Sequence, residues 1–221
     1  MGALVRGICF HGIGEPRRTL EPGEDSYWVG ADDYPRILDE LMTWPQVSIT
    51  FDDGNVSDVE HGLPALRERG LTATFFVLGG RIGSPGSLGA DDLAELASAG
   101  MTVGSHGMDH RPWRGLSPTD LSRELVDARE LIAAAAGAPI TEAACPLGRY
   151  DRHVLGELRR AGYERVHTSD RRPARAEAWL QPRFSVHRGE TSESLRVSLA
   201  AAETPKNRTV RGAIGLVKRV R

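Results

Sequence analysis

Short apolar runs recur along the chain at residues 4–10, 47–51, 73–78, 102–105, 142–145, 165–168 and 183–186. Each has the length of a strand buried within a sheet. Between them, residues 32–42, 59–69, 90–98, 118–136, 153–161 and 192–201 carry apolar side chains at helical spacing. Several of these segments open on Asp or Ser and close on Gly70, Gly100, Gly137 or Gly162, the punctuation of capped helices. Glu68-Arg-Gly70, Ser98-Ala-Gly100 and Arg160-Ala-Gly162 share one form, a helix end followed by Gly and then a strand. The alternation predicts βα units around a mostly parallel sheet.

Such units build either an open doubly wound sheet or a closed barrel. No GxGxxG follows the first strand and no GxxxxGK[ST] occurs. Polar residues instead follow several different strands: Asp52 and Asp53, His106, the Pro146-Leu-Gly148 turn and His187. Reactive groups at the carboxyl ends of many strands are the arrangement of a barrel with its site on one face.

The 221 residues fit a single core. A net charge of −2 creates no field that would recruit nucleic acid, and none is expected as a partner. Cys9 and Cys145 end apolar runs and are too few for a disulfide framework, which suggests a reducing compartment. Arg6 and Gly7 interrupt the first apolar stretch and no long apolar run follows, so a cytoplasmic location is expected. Residues 19–31, with Tyr27 and Trp28, read as a loop placed to contact substrate, and residues 79–89 as a second loop. A main domain over residues 1–205 is expected to be followed by a basic tail. Residues 206–221 hold six Lys or Arg and no acid, interleaved with Ile214, Leu216, Val217 and Val220. The tail fits a solvated terminus, a weak contact with an anionic membrane surface, or a docking segment.

Two constellations carry chemistry. Thr50-Phe-Asp-Asp-Gly54 places adjacent carboxylates at a strand end. A turn at Gly54 allows both to converge on one cation, or one to bind it while the other accepts a proton; the pair alone also fits a polar turn capping the next helix. Gly104-Ser-His-Gly-Met-Asp-His110 sets two imidazoles four positions apart, in a turn rather than a helix because of Gly104, Gly107 and Pro112. Taken with Asp53, they make a three-ligand set with room for water.

These segments resemble the polysaccharide deacetylases, the NodB-homology or carbohydrate esterase family four proteins. The resemblance runs from Cys9-Phe-His-Gly-Ile13 through Thr50-Phe-Asp-Asp-Gly54, Thr74-Phe-Phe-Val77 and Gly104-Ser-His106 to Arg183. It implies a distorted, incomplete (β/α)7 barrel with a metal at the carboxyl ends of the strands. Asp52 is then the general base, Asp53, His106 and His110 hold the metal, usually Zn2+, and the backbone N–H of Leu147 steadies the developing oxyanion. The implied reaction is hydrolysis of an N-acetyl or similar small N-acyl amide on an amino sugar or glycan precursor. A deformylase or other amidohydrolase acting on a non-sugar amide, and a non-catalytic carbohydrate-binding protein of the same fold, are the alternatives.

The departures are as informative. The family's Arg two positions before the third-motif proline is Ala144 here, with Arg183 as a candidate substitute. Gly107 stands where Ser or Thr commonly follows the first histidine. His187 is the nearest residue to the family's late general acid, and His11 is a further group for the same face. Asp170 near the fourth motif and Trp179 as a sugar-pocket wall complete the expectations.

Overall fold

The computed structural model describes residues 3–202 and 204–220. Seven strands run parallel: β1 (Leu4–Phe10), β2 (Val47–Asp53), β3 (Ala73–Val77), β4 (Thr102–Ser105), β5 (Glu142–Ala144), β6 (Arg165–Thr168) and β7 (Leu180–Ser185). Strands consecutive in sequence are neighbours in the sheet. β7 pairs back onto β1 through Gly7↔Arg183, Ile8↔Phe184 and Cys9↔Ser185, so the sheet closes. This is the (β/α)7 barrel expected, one unit short of the common eight. It is uneven, since β4 and β5 share the single pair Ser105↔Ala143.

The strands read as apolar runs because both faces are covered. Alternate residues, including Ile8, Phe10, Phe51, Phe75, Val103, Val166 and Phe184, join helix residues such as Ile37, Leu66 and Leu96 in one buried cluster. The intervening positions hold Cys9, Thr50, Asp52, Phe76 and Arg183, also buried. A period of two thus divides each strand between an apolar outer layer and a partly polar interior. That interior positions the chemistry.

The outer layer comprises α1 (Asp33–Met42), α2 (Leu63–Glu68), α3 (Ala90–Ser98), α4 (Pro118–Ser122), α5 (Ala128–Ala136), α6 (Arg152–Arg160), α7 (Ser192–Ala202) and α8 (Pro205–Val220). A π-helical turn, Arg123–Asp127, joins α4 to α5. Ser117 and Asp151 cap α4 and α6 by accepting the N–H of Asp120 and Val154. The loop expected over 19–31 also holds a short strand, Trp28–Val29, paired in parallel with Gly12–Ile13.

No helix occurs between β6 and β7 among the described residues; α8 packs beside α6 and α7. The basic tail is therefore a docked helix. Lys218 Nζ donates to Asp170 Oδ1 (2.7 Å) and Gly148 O (3.2 Å), and Arg211 donates to Arg171 O (3.2 Å). Its apolar residues gave no core signal because they face outward, and Gly215 is its buried position.

Candidate metal and catalytic site

β2 ends in two successive left-handed residues, Asp53 (φ 78°) and Gly54 (φ 67°). The turn defeats the strand alternation that would send adjacent side chains to opposite faces. Asp53 Oδ1 lies 3.6 Å from His106 Nε2, and Asp52 Oδ2 lies 3.8 Å from the same nitrogen. Gly54 is required twice over, by its φ and because a Cβ would stand 2.5 Å from Val77 Cγ1.

The histidines come from the loop after β4. The His106 ring meets Ala144 O through Nδ1 at 2.8 Å. Burial pushes its pKa down to about 4 against the pull of Asp52 and Asp53, so the ring is neutral with its Nε2 lone pair facing the carboxylates. His110 meets Glu21 Oε2 through Nδ1 at 2.7 Å, and its Nε2 lies 3.5 Å from Asp53 Oδ1. One donor atom from each of Asp53, His106 and His110 falls within 4.8 Å of the other two. Asp53 Oδ1 is buried without a hydrogen-bond partner among the described residues. An orphaned carboxylate oxygen facing two imidazole nitrogens, each ring anchored at its far side, fits a divalent cation.

Asp52 is held differently. Arg183 clamps it with two hydrogen bonds, Nη1 to Oδ1 at 2.6 Å and Nη2 to Oδ2 at 2.7 Å, and Nη1 also donates to Thr50 Oγ1 at 3.0 Å. Burial alone would raise the Asp52 carboxyl. The Arg183 guanidinium, with His106 and His11, overrides it and holds the group well below the usual carboxylate range. Asp53 is also depressed, burial being outweighed by His11, His110 and His106.

A cavity of about 380 Å³ opens over these groups, lined among others by His11, Tyr27, Cys145, Leu147 and Ser185. Leu147 is 56% exposed and left-handed (φ 54°) at the rim. The chain matches the Polysaccharide deacetylase family model over residues 42–166, a stretch that contains Asp52, Asp53, His106, His110 and Leu147. The chain belongs to the polysaccharide deacetylase family.

Among curated relatives, "Putative polysaccharide deacetylase YxkH" of Bacillus subtilis is 29% identical over 185 residues, 84% of this chain and 63% of that protein. The chitooligosaccharide deacetylase of Rhizobium leguminosarum is 30% identical over 124 residues, 56% of each chain. The chain thus spans less than two thirds of the length of either. Among solved structures, the deacetylase PplD of Streptococcus pyogenes in complex with acetate superposes with a TM-score of 0.77 at 19% identity, covering 90% of this chain and 99% of that one. IcaB from Ammonifex degensii gives 0.71 at 20% identity, covering 92% and 98%. At these identities the likeness is one of fold.

Arg183 is the candidate substitute for the third-motif Arg, and the structure pairs it with Asp52. Arg183, on β7 and outside the matched segment, reaches across the barrel interior to Asp52 from the opposite side of β1. Gly107 (φ 88°) marks a second substitution: a Cβ there would lie 2.4 Å from Glu124 Oε2. That buried carboxylate accepts the N–H of Met108 at 2.7 Å and of Asp109 at 3.3 Å, organising the loop between the two histidines.

Three of the expected residues stand outside the lining of this cavity. His187 does not line the cavity; its ring lies against Tyr27 (4.6 Å between centroids), whose ring stacks on His11 (4.8 Å). His11 does line it, and one of its nitrogens lies within 4.8 Å of an Asp52 oxygen. His11 is one residue past the end of β1 and lies at the rim, whereas His187 is two residues past the end of β7. Asp170 is absent from the lining because Lys218, Tyr150 and Thr168 engage its carboxylate. Trp179 precedes β7 and lies beneath Arg159, in a different cavity.

Sequence reasoning did not find Glu21 or Glu124. Glu21 is 89 positions from the histidine it holds, and its other partner, Arg81, comes from a third loop. Glu124 sits in what reads as an ordinary helix. The only signal was the irregular, acidic composition of the loop after β1.

Proposed function

We propose that the protein hydrolyses a small N-acyl amide, an N-acetyl group foremost, on an amino sugar or glycan precursor, releasing a carboxylate and a free amine. The observation that carries this reading is the convergence of Asp53, His106 and His110 on one point, with a separately clamped carboxylate, Asp52, beside it. The names of the relatives, which include chitooligosaccharide and peptidoglycan-N-acetylglucosamine deacetylases, support a carbohydrate amide.

Asp53 Oδ1, His106 Nε2 and His110 Nε2 would hold the cation, with Zn2+ favoured by two nitrogen donors. When bound, such an ion supplies Lewis acidity toward a water and the acyl carbonyl oxygen. Asp52, kept ionised by Arg183, takes a proton at Oδ2, the oxygen facing the cavity histidine. The Leu147 N–H, on a left-handed residue at the rim, is the donor for the developing oxyanion. His11 replaces His187 as the group able to protonate the departing nitrogen. The Arg183–Asp52 pair supports this reading over a drifted amidohydrolase, which was suggested by the loss of the family arginine.

The test is metal content of the purified protein followed by amine release from a panel of N-acetylated sugars and simple amides. Asp52→Asn is expected to keep metal and lose on the order of 10²–10⁴ in turnover, and His110→Ala to lose metal. Full activity in the first variant, or unaltered metal content in the second, rejects the assignment.

A further inference from the structure

Between the last turn of α6, the helix-free connection from β6 to β7 and the end of α8 lies a second cavity, of about 450 Å³. Arg159, Arg172, Arg175 and Arg219 line it around Trp179, and no acidic side chain does. Arg159 lies over the Trp179 ring at 4.1 Å, Arg219 Nε donates to the carbonyl of Gly215 at 3.0 Å, and Arg172 Nε is buried without a partner. None of the four has an ion pair among the described residues. Four guanidinium groups around one hollow whose lining holds no acid repel one another and favour an anion, and their planar forks suit phosphate oxygens.

The helix that supplies Arg219 is built in reverse of an ordinary surface helix. Gly215 faces the protein, whereas Val210, Ile214, Leu216, Val217 and Val220 are 50–65% exposed. At helical spacing these five form one outward arc, bordered on one side by Arg219 and on the other by Lys218. Beyond Lys218 lie Gly148, whose carbonyl it reaches, and exposed Leu147 at the rim of the catalytic cavity. No described helix is long and apolar enough to cross a membrane.

We propose that α8 and the adjoining arginine cavity dock the protein onto a bilayer bearing anionic phosphate headgroups. The apolar arc enters the boundary between headgroups and acyl chains, and lipid phosphates enter the arginine cavity. A free soluble anion accounts for the arginines and leaves the apolar arc in water. A second copy covers the arc and adds four more positive charges beside those already there. An anionic bilayer satisfies both features together. The docking does not depend on the catalytic reading.

The experiment is co-sedimentation of the full chain with phosphatidylcholine vesicles, with and without phosphatidylglycerol, at rising salt. Binding is expected to require the anionic lipid and to weaken with salt. Arg159→Gln/Arg175→Gln and Ile214→Ser/Val217→Ser change exposed side chains; each pair is expected to lower partitioning by about tenfold or more, with the circular dichroism spectrum unaltered. Equal binding to neutral vesicles, no binding to either, or insensitivity to the arginine pair overturns the proposal. So does a thermal shift with inorganic phosphate in the absence of vesicle binding, or a dimer that the Ile214/Val217 pair dissociates.

Discussion

Replacing Arg183 by Met tests the arrangement at its most exposed physical assumption, that a guanidinium from the last strand keeps a buried aspartate charged. Asp52 is 4% and Arg183 2% exposed, and two hydrogen bonds of 2.6 and 2.7 Å join them. Removing one member of such a pair leaves an uncompensated buried charge, at a cost of about 3–5 kcal/mol, or roughly 6–20 °C in Tm for a chain of this size. In the parent, the folded-state pKa of Asp52 is depressed. Its stabilisation is therefore complete above the unfolded aspartate value and is lost as pH falls through the folded one. In Arg183→Met, burial is no longer outweighed and raises that pKa, so stability should instead fall as pH rises through the unfolded value. The acid limb of kcat/KM for amine release should move to higher pH. Arg183→Lys, which keeps the charge without the fork, should fall between. Arg183→Met/Asp52→Asn should regain most of the stability and none of the activity. An unmoved acid limb together with a Tm within 2 °C of the parent would refute the reasoning.

Glu21→Gln should weaken metal affinity about 10–100-fold, since Glu21 holds the far nitrogen of His110; chelator competition measures this, and unaltered affinity dismisses the residue. Gly107→Ala forces a Cβ at φ 88° against Glu124 and Trp113 and should cost about 1–3 kcal/mol in denaturant unfolding. His11→Ala should reduce kcat by on the order of tenfold or more and His187→Ala by less than about threefold; the reverse order would restore His187 as the proton donor. Asp58 is fully buried, neither carboxylate oxygen has a partner among the described residues, and burial followed by Asp53 raises its pKa well above the usual value. The folded state keeps a proton that the unfolded state releases, so stability declines as pH rises above the unfolded value. Asp58→Asn should therefore raise Tm more at pH 7 than at pH 4.

The sequence by itself determined the seven strands and most helix limits, because each is written in local periodicity and punctuation: runs of β-branched and aromatic residues, then helical spacing closed by glycine. It also marked the candidate metal and proton-accepting residues, since Asp52 with Asp53, and His106 with His110, are near neighbours in the chain and share a turn with a glycine. Tertiary structure decided everything that depends on contacts between distant strands and loops. Barrel closure brings Arg183 to Asp52 across 131 positions, loop packing brings Glu21 to His110, and Tyr27 separates His11 from His187. The same reason governs α8. Its apolar spacing has no buried face to report, and its place beside α6 and α7 is set by a helix missing between β6 and β7, a gap that exists only once the barrel has closed.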